Sequence, residues 1–427
     1  MHSDVAAAST VEGRLQRGRG QGYLDAIASP SEEVRADLLD CIVHDPRWDS
    51  QVEARADYYA ELAERLSLET SAIAGHLFSS DDDRIRDENR TGLAIWVLNE
   101  LAKRGRQDAV AVLRRYVVEG WNWQWALEAL ADLDFPHATE GLGDELERRF
   151  ESDAELIEAL RGATLLELWR RWAEKNPRLS RALDALKATN EQGTANQIEE
   201  PSVALLVTTA TTGREDARRA ALAHLGSLHA AEAIEPAELA IRNGSTELRR
   251  LGRRALFRAA NPGMVPQARR WATEDNELAE VALRVLARHG DFGDVLFLRA
   301  SLENAWKLGH IYGACDAVDG LGRLADRESE STIETIYDET TYSYLRRRAA
   351  RALAALSEQF ALGRAIESLW DCESETRLVG AASANLARDS VRHRLGEILG
   401  NPLEDASVVS VAQARRSAGD TQHRRNP

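Results

Sequence analysis

The chain has 427 residues, and 54 lysines and arginines against 70 aspartates and glutamates give it a formal net charge of -16 at pH 7. No stretch approaches the ~18 to 20 consecutive apolar residues of a membrane-spanning helix, and residues 1–23 lack the apolar core of a secretory signal. With 44% hydrophobic residues, we expect an acidic, cytoplasmic protein with a sizeable core and no membrane segment.

Apolar residues recur at three- and four-residue spacing along most of the chain, which predicts amphipathic helices and an all-α fold. Residues 1–20 are expected to be a flexible N-terminus, and residues 21–186 an irregular, acidic helical-repeat region. Within this region we predict successive helices at 34–43, 52–66, 91–105, 108–120 and 123–133, and two longer charged helices within 140–186. Residues 187–202 have no periodic apolar pattern and are predicted to be a linker.

A longer period begins at about residue 203. Segments containing Ala-Leu followed by another apolar residue recur, and their alignment places six positions in register: Leu225, Ala259, Leu286, Leu321, Leu356 and Leu386. A period near 33 residues is the length of two short helices with their turns, which predicts a helical solenoid over 203–403. The polar tail, 404–427, is predicted to be disordered. Charge changes at the same boundary, from -15 over residues 1–200 to -1 over the remainder.

Short acidic or aromatic starts followed by arginine mark several of the predicted second helices. They are Glu33-Val34-Arg35-Ala36, Asp216-Ala217-Arg218-Arg219, Glu247-Leu248-Arg249-Arg250 and Tyr344-Leu345-Arg346-Arg347. In this respect the sequence resembles the HEAT-repeat family of the armadillo-type fold, well over 201–400 and loosely before that. The resemblance implies an α-α superhelix, and it assigns no catalytic or binding role to any residue.

Constellations that would indicate an enzyme are absent from the sequence. Nucleophilic catalysis needs a base near the nucleophile, but His310 and Cys315 are five residues apart, which is about 500° of helix and roughly 140° between side chains. The acidic run 81–83 has Arg86 where a calcium loop needs glycine, so we interpret it as a solvated helix start. We expect no cofactor and no metal. The cysteines are too scattered for a disulfide framework and are expected to be reduced and buried: Cys41, Cys315 and Cys372.

The densest aromatic cluster is Trp-Asn-Trp-Gln-Trp at 121–125. Trp121 and Trp125 share a helix face, whereas Trp123 points away from it. Core packing between repeats accounts for two of the rings, and an exposed third ring is suited to stacking against a ligand. Trp123 is therefore a candidate partner-binding residue.

Arginines cluster on the predicted second helices, and two interpretations of them remain open. In the structural one, an arginine of each repeat pairs with an acid of its neighbour, such as Asp216 or Glu247, and forms an internal ladder. In the functional one, surplus arginines face solvent as a basic stripe that receives an acidic protein segment or a phosphate backbone. The candidate partner-binding arginines are Arg249, Arg250, Arg253, Arg346, Arg347 and Arg348.

Three functional hypotheses follow from these patterns. The preferred one is a non-catalytic scaffold or adaptor that binds a protein partner or an acidic peptide on the concave face of the solenoid. The alternative is a helical-repeat protein that binds nucleic acid through the arginine stripe. The third is an enzyme with a site at the junction of the two halves, using Asp134, His137 or Tyr116, for which no residue spacing argues.

Overall fold

The structure, a computed structural model, describes residues 5–44, 55–79, 91–133, 135–161, 165–190, 201–274 and 277–425. These residues form α-helices and short 3-10 turns and contain no strand, which confirms the predicted all-α class. Among them, no helix combines the length and the apolar character needed to cross a membrane. The chain divides into two units. The N-terminal unit consists of His2–Asn196 and Glu367–Arg377, and the C-terminal unit of Gln197–Ile366 and Leu378–Pro427.

The N-terminal unit is built from twelve helices within its described residues, together with the segment 367–377. They are α1 Val11–Gln16, α2 Gly20–Ala28, α3 Glu32–Val43, α4 Arg55–Arg65, α5 Thr70–Leu77, α6 Leu93–Lys103, α7 Gln107–Glu119, α8 Trp123–Ala131, α9 Leu142–Glu147, α10 Asp153–Arg161, α11 Leu166–Ala173 and α12 Pro177–Asn190. Helix α6 lies at the centre, packed on α4, α7 and α8. Its sequence is apolar on nearly every side, and most of its side chains are buried, as expected for a helix enclosed by others.

The beginning of this unit differs from the sequence expectation of a flexible segment at 1–20. Helix α1 starts after Thr10, whose hydroxyl accepts a hydrogen bond from the Gly13 N–H at 3.0 Å. Leu15 is completely buried, and the Arg17 guanidinium donates to the Gly13 carbonyl. A capped helix with one buried leucine is short enough for its periodicity to escape notice, so the prediction failed here.

The C-terminal unit contains successive helix pairs followed by a different packing at its end. The helices are α13 Val203–Thr212, α14 Glu215–Ser227, α15 Ile234–Asn243, α16 Thr246–Ala259, α17 Val265–Trp271, α18 Glu277–His289, α19 Val295–Leu308, α20 Ile311–Arg323, α21 Glu330–Glu339, α22 Ser343–Leu356, α23 Arg364–Ser368, α24 Ser374–Ser383, α25 Asp389–Gly400 and α26 Ala406–Arg425. Parts of α23 and α24 supply the segment 367–377 that belongs to the N-terminal unit.

From α13 to α22 the helices pack in neighbouring pairs, each first helix on the second helix that follows it. The second helices α14, α16, α18, α20 and α22 also pack on one another in that order. Small residues permit the close approach: Gly226 of α14 faces Ala255 of α16, and Gly320 and Gly322 of α20 face Ala287 and Ala352 on either side. The second helices therefore form one continuous layer.

The two ends of the C-terminal unit can be compared with the predicted linker at 187–202 and the predicted disordered tail at 404–427. Of the predicted linker 187–202, the first four residues belong to α12, which ends at Asn190, and 191–200 lie outside the described residues. Helix α13 begins after Ser202, whose hydroxyl accepts a hydrogen bond from the Leu205 N–H. The predicted disorder of 404–427 differs from the structure, in which Ala406–Arg425 form α26 against α25. Val408 and Ala412, one turn apart, are buried in that contact. Two small apolar residues in a polar stretch gave too weak a periodic signal.

Candidate functional site

Several arginines of the second-helix layer form an internal ladder of ion pairs between helices. Arg253 of α16 lies 2.8 Å from Glu280 of α18, and Arg284 of α18 lies 3.0 Å from Asp316 of α20. On the other side of α20, Asp319 pairs with Arg348 of α22. Each pair joins one second helix to the next. The two acids that the structural interpretation named do not take part, because Asp216 and Glu247 pair with arginines of their own helices.

A second ladder runs along the first helices and the turns between repeats. Its pairs are Arg242–Glu274 at 2.6 Å, Arg269–Asp294 at 2.9 Å, Arg299–Asp326 and Arg364–Asp338 at 2.9 Å. The Arg299 guanidinium is the main cause of a lowered pKa at Asp326, with the Ser329 hydroxyl as a further donor. Charge-assisted bonds of this kind favour the ionised carboxylate. The C-terminal unit thus keeps many of its charges internal.

The predicted partner-binding arginines fall into different environments. Arg250 is exposed and pairs at 2.7 Å with Glu247 of its own helix, while Arg249 is partly buried. The Arg347 guanidinium lies 4.2 Å from the centre of the Tyr344 ring. Arg346 is completely buried. The expectation that the three successive arginines of α22 face solvent is therefore wrong for Arg346, because it lies on the core side of its helix between Leu345 and Ala349.

Other arginines of the second-helix layer remain exposed. Arg254 and Arg258 follow Arg250 at four-residue intervals on the solvent face of α16, and Arg288 lies on the solvent face of α18. Within the described part of the chain, Arg254, Arg258 and Arg288 make no ion pair. The sequence contains a local signal for this arrangement, because Arg254 follows the ladder residue Arg253 directly, Arg258 lies one further turn along α16, and Arg288 lies four residues beyond the ladder residue Arg284.

Contacts between α16 and α18 define the register of the two helices that carry these arginines. The Arg253–Glu280 pair joins residues 27 apart, and the Arg284 guanidinium lies 4.1 Å from the centre of the Phe257 ring, with the same offset. This register places the C-terminal ends of α16 and α18 side by side. On the following helix, Arg323 donates to the carbonyls of Ala287 and Gly290 at the end of α18. We call Arg254, Arg258, Arg288 and Arg323 the basic strip.

Trp123 is not the exposed ring of its cluster. Its side chain is only 8% exposed and makes edge contacts with Phe150 at 5.9 Å and Trp169 at 6.2 Å between ring centres. Trp121, in the turn before α8, is 49% exposed instead. The correction arises because α8 starts at Trp123, which turns that residue toward the α10–α12 helices. Trp123 is part of a buried aromatic cluster.

The described residues that were considered for an enzyme differ in their environments. Tyr116 is completely buried, and the exposed His137 ring stacks on Phe135 at 4.6 Å. Asp134 and the acidic run 81–83 lie outside the described residues. All three cysteines are buried free thiols, as expected, and burial raises the pKa of Cys315 to about 11. Within the described ranges, no group of three histidine, cysteine or acidic side chains is placed to hold a metal ion.

One buried charged contact has no counterpart in the sequence reasoning. Arg19, in the turn between α1 and α2, lies 2.8 Å from Glu367 of α23, and both side chains are less than 10% exposed. The two residues are 348 positions apart, so no local pattern could pair them. This contact belongs to the N-terminal unit.

Comparison with known proteins does not add to this description. No protein-family model matches the chain, and no curated protein shows significant similarity to it.

Proposed function

We propose that this protein is a non-catalytic, cytoplasmic binding scaffold of the HEAT-like solenoid type, and that it receives an acidic segment of a protein partner. The solenoid interpretation is supported by successive helix pairs whose second helices pack in series. In such arrays each repeat contacts only its neighbours, and the layer of second helices usually lines an extended concave surface. That surface is where we assign binding.

The observation that carries the proposal is the separation of arginines into ladder and strip. The ladder arginines are neutralised by acids of neighbouring helices, whereas three strip arginines are exposed and make no ion pair among the described residues. Guanidinium groups bind carboxylates through paired hydrogen bonds, and arginine and tyrosine are enriched at protein interfaces. Tyr312 at the start of α20 adds an aromatic side chain that is 56% exposed on the same layer.

Nucleic-acid binding is the second candidate, because the same guanidinium groups suit a phosphate backbone. The net charge of -16 and the scarcity of lysine, four residues in the chain, favour the acidic protein segment. A local basic surface nevertheless attracts anions whatever the net charge, since the nearby field guides association. The two candidates therefore share a surface and differ in their ligand.

The experiment compares a triple variant of the strip, Arg254→Glu, Arg258→Glu and Arg288→Glu, with a charge-matched control. The control changes three arginines that are also exposed but lie outside the strip: Arg214→Glu just before α14, Arg270→Glu in α17 and Arg327→Glu in the turn before α21. Binding to a labelled glutamate-rich peptide and to a labelled DNA duplex is measured by fluorescence anisotropy at several salt concentrations. Circular dichroism establishes that both variants retain their helix content.

We expect the wild type and the control to bind the glutamate-rich peptide and the strip variant to lose that binding. Preferential duplex binding, lost in the strip variant and steeply reduced by salt, would assign the surface to nucleic acid. Equal binding by the strip variant and the control would refute a role for the strip. Affinity capture from a lysate, with and without nuclease, then identifies the physiological partner.

A further inference from the structure

Residues 367–377 are held by the start of the N-terminal unit, far from them in sequence. Glu367 pairs with Arg19 at 2.8 Å, and the Cys372 N–H donates to the Gly18 carbonyl at 3.0 Å. Side chains along the segment are buried, including Ser368, Asp371 and Cys372. We call residues 367–377 the clasp.

The turn between α1 and α2 is shaped to receive the clasp. Gly18 has a φ of +65°, and a Cβ there would lie 2.5 Å from the Cys372 sulfur. A Cβ at Gly20 would collide with the backbone carbonyl of Glu367. Because both glycines leave space that the clasp occupies, contact between the two segments depends on the absence of these side chains.

Helix α4 holds the same turn through a separate set of hydrogen bonds. The Tyr58 and Tyr59 hydroxyls donate to the carbonyls of Arg19 and Leu15, both at 2.8 Å, and the buried Arg55 guanidinium donates to the Gln16 carbonyl. These bonds do not involve the clasp. The surface that the clasp meets therefore has its own support and can persist when the clasp leaves.

The Arg19–Glu367 pair is a buried ionic contact between the clasp and the turn. Both charged groups are largely removed from water, so the pair contributes to the compensation of each charge. Removing one partner of a buried pair leaves an uncompensated charge, which is far less favourable than the paired state. Loss of the Glu367 charge therefore weakens the closed state specifically.

We propose that the clasp is a conformational latch, a segment that detaches from and returns to the α1–α2 turn as one cooperative unit while the helices around it remain folded. The Arg19–Glu367 pair holds it closed. Opening exposes the Cys372 thiol and the turn that the clasp covers. Proteins open locally in cooperative segments with free energies below that of global unfolding, and a segment joined by a few specific contacts is suited to such opening.

The test measures alkylation of the three cysteines in the full-length chain by peptide mass spectrometry, with Cys372 reporting the clasp and Cys41 and Cys315 reporting the two units. In Glu367→Gln we expect Cys372 to react about tenfold faster or more, because one partner of a buried pair is lost. Cys41 and Cys315 should react as in the wild type. Glu280→Gln is the matched control, since Glu280 also pairs with an arginine but is exposed; it should change none of the rates.

Gly20→Ala opens the clasp by steric collision and leaves the Arg19 and Glu367 charges intact. It should therefore raise the alkylation rate of Cys372 and leave the rates of Cys41 and Cys315 unchanged. The proposal would be overturned if the alkylation rate of Cys372 were unchanged in both variants, or if the alkylation rates of all three cysteines rose equally. Hydrogen exchange of the wild type provides a reading that needs no variant. Amides of the clasp should exchange at a common rate faster than those of α3 and of the second helices, and exchange at the rate of global unfolding would refute the latch.

Discussion

Gly322 of α20 tests whether the second helices pack as closely as the structure shows. A Cβ at this position would lie 2.7 Å from the Cβ and 2.8 Å from the Cα of Ala352 in α22. Both distances are well below van der Waals contact, and neither atom belongs to a flexible side chain. Gly322→Ala therefore requires α20 and α22 to separate.

Two opposing effects determine the magnitude. Replacing glycine by alanine inside a helix contributes about 1 kcal/mol of stability through helix propensity. Forcing an additional methyl group into a packed contact costs about 1–3 kcal/mol. We expect Gly322→Ala to be neutral to destabilising, by up to about 2 kcal/mol.

Gly313→Ala is the control on the same helix. A Cβ at Gly313 meets Ala305 only at 3.4 Å, an ordinary contact, so this change should gain up to about 1 kcal/mol. The two variants should therefore differ by about 1–3 kcal/mol in the free energy of unfolding of the C-terminal unit, measured by urea denaturation. Stabilisation of the same size in both would refute close packing of α20 on α22. In the double variant Gly322→Ala, Ala352→Gly, the loss of stability should be smaller than the sum of the losses in the two single variants, because the second change removes one of the colliding groups.

Further predictions concern the ladder, the aromatic cluster and the buried thiol. Arg299 lowers the pKa of Asp326 in the folded state. The pair therefore stabilises the fold above the unfolded pKa of about 4, and this stability is lost as the pH falls through the lower, folded pKa. Asp326→Asn should flatten the acidic part of a profile of melting temperature against pH. Trp123→Ala should cost about 3–5 kcal/mol in chemical denaturation, whereas Trp121→Ala should change stability by about 0.5 kcal/mol or less. With its pKa raised to about 11, Cys315 should react slowly with thiol reagents at pH 8 until denaturant exposes it.

The sequence predicted the helical class and much of the C-terminal helix order because amphipathic period and turn chemistry are local properties. Turns at Asn261 and Asp291 illustrate this: each side chain accepts a hydrogen bond from the glycine N–H two residues on, at 2.9 Å. Such bonds are encoded within a few residues. The helices α1 and α26 were missed because each has few buried apolar residues, and its remaining support comes from contacts distant in sequence, such as Arg415 with the Ala384 carbonyl.

The presence of arginine rows on the second helices could be predicted from the sequence, but the exposure of each arginine could not. Arginine rows on second helices were visible in the sequence, but burial depends on rotation about each helix axis, and each residue changes that angle by about 100°. Arg346 and Arg347 are adjacent, yet one is completely buried and the other reaches the Tyr344 ring. Trp123 was misassigned for the same reason. The Arg19–Glu367 pair had no local signal of any kind.

The repeat length itself explains why one residue type serves two roles. Ladder pairs along the second helices join residues 27, 32 and 29 apart, close to one repeat, because equivalent positions of successive second helices lie side by side. An arginine at the position facing the next helix meets an acid one repeat away and is neutralised. Arg254, one residue after the ladder position Arg253, is rotated toward solvent instead. Near-neutral charge over residues 201–427 is therefore compatible with an exposed basic strip, since the acids that balance the total are paired within the ladders.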